Sequence, residues 1–172
     1  MDFFEVVRTR RSVRAYSSRP VETDKLQAIL QAANLAPSAG NLQAYEIFMA
    51  QSQTVRDRLA QAAGMQEFIA QAPVALVFCA NPRRSAGKYG QRGATLYCLQ
   101  DATIACAYAQ LAAAALGLAS VWVGAFEEDE VRRAIGVGAD LRPVAILPLG
   151  YAAEAPGPSS RRPLRDLVHR LE

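Results

Sequence analysis

The sequence has very few of the residues from which the commonest catalytic sites are built. It contains one histidine, His169, and three cysteines, Cys79, Cys98 and Cys106, and no two cysteines form a CxxC pair. A Ser–His–Asp site and a zinc site both need histidines or cysteines in defined arrangements, so we predict neither, nor any other metal site. An odd number of cysteines in apolar surroundings indicates reduced structural thiols and therefore a cytoplasmic protein.

Motifs for nucleotide binding, hydrolysis and membrane targeting are missing as well. The sequence has no GxGxxG fingerprint, no Walker-type phosphate loop, no HExxH and no GxSxG. The N-terminus, MDFFEVV, carries acids where a secretory signal needs basic residues. The most apolar stretch, 102–118, is interrupted by Tyr108 and Gln110. We therefore expect neither a secretory signal nor a membrane span.

Positive charge is not in large excess, but it is concentrated at the two ends of the chain. Nineteen basic and 16 acidic residues give a net charge of +3, which is too small to indicate a nucleic-acid-binding protein. The clusters consist of Arg8, Arg10, Arg11 and Arg14 in the segment RTRRSVRAY, and of Arg161 and Arg162. Guanidinium groups suit phosphate oxygens, and Ser12 could add a hydroxyl donor. Each cluster alone also fits a solvated face, and only folding could bring the two together.

The hydrophobic pattern predicts an α+β arrangement in one domain over residues 1–172. Strands are predicted at 45–50, 74–80, 119–126 and 144–149. Helices are predicted from Asp2, from Thr23 to before Pro37, and at 55–63, 94–116 and 127–136. The segment 81–93 is interpreted as a polar connection. Four strands and four or five helices favour a sheet flanked by helices.

Four consecutive alanines, 112–115, lie in the longest predicted helix. Their small side chains allow another backbone to approach the helix closely on any face. Two interpretations stay open: a tightly packed central helix, or a helix at a subunit interface.

Six blocks of the sequence resemble the FMN-dependent nitroreductase family. They are RRSVRAY, AANLAPSAGNLQ, APVALVFCA, LAAAALGLASVWVGAF, PVAILPLGYAAEAP and RRPL. They occur in the family's order and extend over essentially the whole chain. The resemblance implies a nitroreductase-like α+β fold, with a central, mostly antiparallel or mixed sheet of four to five strands flanked by helices. It also implies an intertwined homodimer with FMN at the subunit interface.

The resemblance further implies which residues bind FMN. The first block implies that Arg10, Arg11, Ser12 and Arg14 hold its phosphate and ribityl region, with Arg14 reaching the pyrimidine edge of the flavin. The turn PSAGN implies that Pro37, Ser38, Ala39 and Asn41 of the partner subunit pack on the isoalloxazine. A backbone N–H near Gly124 and Ala125 is implied to face flavin N5. Leu149 and Gly150 are implied to line the same pocket, and Arg161 or Arg162 to close over the phosphate.

The implied activity is that of an FMN-dependent NAD(P)H oxidoreductase. NADH or NADPH would reduce the flavin, and a nitroaromatic, a quinone or a similar small-molecule acceptor would reoxidise it by ping-pong hydride transfer through N5. The flavin carries the chemistry, so no catalytic side chain is assigned. Alternatives stay open: a non-catalytic flavin-binding or flavin-delivery protein, or a reductive dehalogenase or enone or aldehyde reductase of the same fold.

The chain also departs from the larger members of the family. It leaves little room for the extra helices that cover the active site there, and Phe68 stands where they place a basic residue. Gln66 could substitute as a polar contact. The basic segment 81–93 either shapes a substrate entrance or is an ordinary exposed loop.

Overall fold

A four-stranded antiparallel sheet forms the centre of the part of the chain that the computed structural model describes, residues 2–171. The spatial order is β1-β2-β4-β3. The strands are β1 (Tyr45–Ala50), β2 (Val74–Ala80), β3 (Ala119–Ser120) and β4 (Arg142–Gly150). Strands β2 and β4 are central, and every residue of β2 is buried. The sheet therefore confirms the predicted mostly antiparallel α+β fold, and the bounds of β1 and β2 equal the predicted ones.

Helices cover both faces of this sheet. On one face lie α2 (Thr23–Asn34) and α6 (Cys98–Ala115), and on the other lie α3 (Gln53–Ala62) and α7 (Glu128–Ile135). Successive side chains of β2 alternate between the two layers. Leu76 and Phe78 pack with the first pair of helices, and Val77 and Cys79 pack with the second. The short helix α4 (Phe68–Gln71) joins the second layer through the fully buried Ile69, and another short helix, α1 (Phe3–Thr9), precedes the layers in the chain.

The alanine-rich helix α6 packs directly on the sheet through one buried face. Ala102, Ala105, Ala109 and Ala113 are fully buried in the same core cluster as β2 and β4. Residues of this size let the helix axis come close to the strands. The interpretation as a packed central helix is confirmed for this face. Tyr108, on another face, is 41% exposed, and a subunit interface there stays a prediction.

The segment 81–93, interpreted as a polar connection and possible exposed loop, is mostly helical, with a break in the helical backbone at Gly90 (φ 56°). This helix, α5 (Pro82–Arg92), begins with Asn81, whose side-chain oxygen accepts a hydrogen bond of 3.1 Å from the Arg84 N–H. Asparagine at the N-cap and proline at the first helical position are both helix-start signals. A single π-turn, Gly93–Tyr97, joins α5 to α6.

The predicted strand 119–126 is also much shorter than expected. Only Ala119–Ser120 pairs with β4 as a strand, and Val123 adds one isolated bridge to Ile146. Beyond Val123 the chain turns away from the sheet, which leaves Gly124 and Ala125 exposed. This turn becomes part of the candidate site below.

The three cysteines are buried and unpaired. Burial raises the pKa of the Cys79 thiol to about 12 and also raises the pKa values of Cys98 and Cys106. Thiols of this kind are poor nucleophiles, as expected for structural residues. Within residues 2–171, no helix has the length and apolar character needed to cross a membrane.

Candidate functional site

The two arginine clusters of the sequence meet at one cavity of about 510 Å³. Arg10 and Arg11 reach it from the end of α1, and Arg161 reaches it from the C-terminal tail. The lining residues are Val7, Arg8, Arg10, Arg11, Ser12, Pro158, Ser159 and Arg161. Folding thus brings together groups that lie about as far apart in the sequence as the chain allows.

The segment after α1 forms main-chain hydrogen bonds with β3 and with the chain that follows β4, and these bonds position the arginines. After α1 ends, the Val13 N–H donates to the Ser120 carbonyl of β3 at 3.1 Å. Further along, Tyr16 forms an antiparallel bridge with Ala152, and the Ala153 N–H donates to the Ala15 carbonyl at 2.9 Å. The tail that leaves β4 therefore runs back along the N-terminal segment. This course carries Arg161 to Arg10.

Within the described residues, no carboxylate lines this cavity. The ion pairs formed within residues 2–171 do not include Arg10, Arg11 or Arg161. Burial, followed by the charges of Arg161 and Arg11, lowers the pKa of Arg10. Guanidinium groups held close together without a counter-charge are suited to a dianion such as a phosphate monoester, which they can bind through several charge-assisted hydrogen bonds.

Arg10 and Arg11 also line a second, adjoining cavity of about 440 Å³. Its other walls come from the end of α6, from β3 and from the tail after β4, and include Glu154. The Glu154 carboxylate accepts a hydrogen bond from the main-chain N–H of Arg14. The Arg14 side chain is exposed and lines neither cavity. The predicted set Arg10, Arg11, Ser12 and Arg14 thus divides, because only the first three face the basic cavity.

Of the two C-terminal arginines, only Arg161 faces the basic cavity. Arg162 donates a hydrogen bond of 2.7 Å to the Asp166 carbonyl instead. Leu149 is fully buried in the core, so its side chain does not reach either cavity. A Cβ on Gly150 would lie 2.7 Å from Pro73 Cδ and 3.1 Å from Tyr16 Cδ1. Gly150 thus lets the N-terminal segment pack closely against the end of β4.

The turn at Gly124 and Ala125 presents main-chain donors to solvent. Both residues are exposed, and within the described chain no hydrogen bond is recorded for either N–H. The Gln66 side chain donates to the Ala125 carbonyl at 3.4 Å and to the Ala63 carbonyl at 2.7 Å. Gln66 therefore supports the turn from behind without using its N–H groups, which remain available to a ligand.

The predicted turn residues Pro37, Ser38 and Ala39 line a third cavity, of about 580 Å³. None of its lining residues also lines a cavity at Arg10. Asn41 lies in the same turn with a φ of 57°. Within one chain the turn and the arginine cluster therefore do not form a common site.

Asp101 is a residue of this third cavity that the sequence analysis missed. It lies in the first turn of α6, is 1% exposed, and accepts a hydrogen bond of 2.9 Å from the Ala39 N–H. The signal in the sequence was an acidic residue next to an apolar stretch.

Helix α5 supports the same turn from the other side. A Cβ on Gly40 would lie 2.7 Å from Lys88 Nζ and would also collide with the Tyr89 hydroxyl. Arg84 donates a hydrogen bond to the Leu42 carbonyl. The basic segment 81–93 is therefore a structured support for the turn.

The sequence and the fold match one known class of protein. The model of the nitroreductase family matches residues 7–66 and 62–151, and the chain belongs to this family. A protein of Thermus thermophilus named NADH dehydrogenase is 32% identical, with 92% of this chain and 91% of that protein covered. The FMN reductase [NAD(P)H] of Bacillus subtilis is 29% identical, with 93% of this chain and 70% of that protein covered.

A solved structure extends the comparison to the fold. The NADPH:FMN oxidoreductase of Vibrio harveyi, determined in complex with NAD⁺, superposes with a TM-score of 0.90 at 27% identity. The alignment covers 99% of this chain and 77% of that one. The nitroreductase-like fold expected from the sequence is therefore confirmed.

Proposed function

We propose that this protein is an FMN-dependent NAD(P)H oxidoreductase that reduces nitroaromatics, quinones or similar small-molecule electron acceptors. One observation carries the proposal: four arginines without an ion-pair partner within residues 2–171, Arg8, Arg10, Arg11 and Arg161, line one cavity from opposite ends of the chain. The relatives support it, since one is named FMN reductase [NAD(P)H] and another NADPH:FMN oxidoreductase, the latter in complex with NAD⁺.

The residues present fit the phosphate of FMN. Arg10, Arg11 and Arg161 would bind the dianion, and Ser12 would add a hydroxyl donor. Arg161, and not Arg162, takes the closing role, because only Arg161 lines the cavity. Arg14 has an exposed side chain and is our assignment for the pyrimidine edge of the flavin.

When bound, FMN would supply the redox chemistry by taking a hydride from NADH or NADPH and passing it to the acceptor. The task of the chain is then to hold and orient the ring. The exposed N–H groups of Gly124 and Ala125 are our assignment for the contact with flavin N5. The chain presents no side chain that we assign as a nucleophile or general acid.

A homodimer with FMN at the subunit interface completes the proposal. The turn 37–41 and Arg10 line separate cavities in one chain, so a site that contains both needs the turn of a second chain. Large apolar side chains at both ends of the chain are exposed and could cover such an interface, namely Phe3, Phe4, Val7, Leu164, Leu167 and Val168. The three unpaired thiols support a reducing, cytoplasmic location.

The decisive experiment is anaerobic mixing of the purified yellow protein with NADH and with NADPH. We expect the flavin absorbance to bleach with at least one donor and to return when a nitroaromatic or a quinone is added. Dithionite, which reduces flavins without a binding site, is the control for accessible flavin. Bleaching by dithionite alone would contradict the reductase and indicate a flavin-binding or flavin-delivery protein.

A panel of acceptors then separates the remaining activities of the fold. Reoxidation by an enone, an aldehyde or a halogenated aromatic, but not by a nitroaromatic or a quinone, would contradict the acceptor class proposed here while leaving the flavin reductase in place.

A further inference from the structure

Asp101 is a buried carboxylate whose recorded partners are main-chain groups of one turn. Its Oδ1 accepts from the Ala39 N–H at 2.9 Å, and its Oδ2 accepts from the Ala44 N–H at 3.3 Å. No ion pair formed within residues 2–171 includes it. A buried charge is costly unless polar groups satisfy it. Both oxygens are therefore committed to the two ends of the segment 39–44.

The segment between these two contacts has an unusual backbone. Gly40 and Asn41 both have φ values of 57°, and Gln43 has a φ of 43°. Residues other than glycine adopt this left-handed region at a cost, and such conformations persist only where the surroundings fix them. Here the Ser38 hydroxyl accepts from the Gln43 N–H at 3.0 Å, but this bond lies within the turn. It does not fix the turn relative to the sheet.

Asp101 provides that fixed point because it belongs to α6, which packs on the sheet. Its carboxylate holds the turn from one side, while Tyr89 and Lys88 of α5 lie against Gly40 on the other. It also lines the same cavity as Pro37, Ser38 and Ala39. The outer surface of the turn is thus set by a rigid helix.

We propose that Asp101 is a positioning residue that fixes the turn 37–43 for the flavin held by the partner subunit. The inference rests on the proposed function, because it needs a flavin site assembled from two chains. Asp101 lies behind the turn and acts on the flavin through it.

The first test compares Asp101→Asn with Cys106→Ser. Asparagine keeps the size of the side chain but presents an NH₂ group to one of the two N–H donors, so one hydrogen bond is lost. Cys106→Ser is the control, because Cys106 is a fully buried residue of the same helix that makes no recorded contact with the turn. We expect Asp101→Asn to raise the FMN dissociation constant about tenfold, with a melting temperature no lower than that of Cys106→Ser. Unchanged FMN affinity, or an affinity that falls only in parallel with the melting temperature, would overturn the proposal.

The second test uses mixed dimers of Arg10→Ala and Asp101→Asn chains, purified through two different affinity tags. If the turn serves the partner's site, one site of the mixed dimer contains both changes and the other contains neither. The intact site should then bind FMN with wild-type affinity at half the wild-type stoichiometry. If Asp101 serves the site of its own chain, each site contains one change and no wild-type site forms. That result, or a protein that is monomeric, would overturn the proposal.

Both tests measure FMN binding and use no NADH or NADPH. A wild-type protein whose flavin neither donor reduces would therefore contradict the proposed function and leave the role of Asp101 measurable. If the protein is an active reductase but Asp101→Asn leaves FMN affinity unchanged, only this inference is contradicted.

Discussion

The arginines of α7 and those at the basic cavity differ in their partners. Arg132 pairs with Asp129 and lies 3.6 Å from Glu128, and Arg133 pairs with Glu130. These partners are one helical turn away, at i−3 or i−4, where side chains on a helix meet. The hydrogen bond that Arg132 donates to Asp129 is the main cause that raises the pKa of Arg132. These ion pairs of α7 stabilise the fold locally.

At the basic cavity the neighbours of an arginine are other arginines. Burial and the charges of Arg161 and Arg11 lower the pKa of Arg10, so the fold disfavours this charge where it favours that of Arg132. An arrangement that opposes folding is expected where a ligand supplies the missing charge. The comparison teaches that a cluster of arginines indicates a binding site when the tertiary structure leaves it without ion-pair partners.

The largest expected effect is that of Arg10→Ala on FMN binding. The phosphate would lose a charge-assisted hydrogen bond worth about 1.5–3 kcal/mol, so the FMN dissociation constant should rise about tenfold to a hundredfold. Titration of the FMN-free protein with FMN, followed by flavin fluorescence, measures this. Arg133→Ala is the matched control, since Arg133 is exposed and paired with Glu130, and it should bind FMN normally. Full FMN occupancy of purified Arg10→Ala would place the phosphate elsewhere.

A smaller effect is expected on the stability of the FMN-free protein, and here the change at the paired arginine of α7 should have the larger consequence. A pKa that is raised in the folded state stabilises the fold at every pH below the ordinary pKa of an arginine side chain. Arg132→Gln should therefore lower the free energy of unfolding at neutral pH, by up to about 1 kcal/mol. Arg10→Gln should not lower it, because the fold disfavours the charge of Arg10. Urea unfolding of both variants measures the difference, and a larger loss for Arg10→Gln would reverse the comparison.

The smallest effect concerns Glu22, which forms an ion pair with Arg19 and so resembles the paired residues of α7. Hydrogen bonds from the Tyr151 hydroxyl, at 2.8 Å and 2.6 Å, are the main cause that lowers its pKa to about 2, and Arg19 contributes. Because the pKa is lower in the folded state, the ionised carboxylate stabilises the fold at pH values above the usual pKa of 4.5. This stabilisation is lost as the pH falls through about 2. Tyr151→Phe keeps the ring that Arg19 covers at 3.9 Å and removes the hydroxyl. Its melting temperature should fall below that of the wild type at neutral pH, and the gap should close towards pH 2. A constant gap would contradict this role of Glu22.

The predictable parts of the fold were those with a local pattern. Strand β2 is a short apolar run buried on both faces, and strand β1 has a comparable β-rich run, so both bounds followed from the sequence. Helix α5 was missed because Gly87 and Gly90 lower the helix propensity of the segment, although Asn81 and Pro82 are helix-start signals. The strand at 119–126 was overestimated because β4 pairs with only its first two residues, and strand length depends on the partner.

For the candidate site, the sequence could indicate which residues take part but not how they are arranged. The blocks that resemble the family pointed to Arg10, Ser12 and the turn 37–41, and these assignments stay predictions until FMN binding is measured. The choice of Arg161 over Arg162 had no signal in the sequence, since adjacent arginines are chemically equivalent there. The role of Asp101 depends on main-chain N–H groups more than 50 residues away, which no local pattern could indicate.

The sequence by itself determined the strands with apolar runs, the periodic helices and the supply of arginines, because each depends on residues within a few positions of one another. Only the tertiary structure decided which arginines remain without ion-pair partners and which carboxylate holds the turn. Both depend on contacts between distant segments: the pairing of the tail with residues 15–17 brings Arg161 to Arg10, and the packing of α6 on the sheet buries Asp101 behind the turn. Charge and hydrogen bonding act through distance in space, and the fold sets that distance.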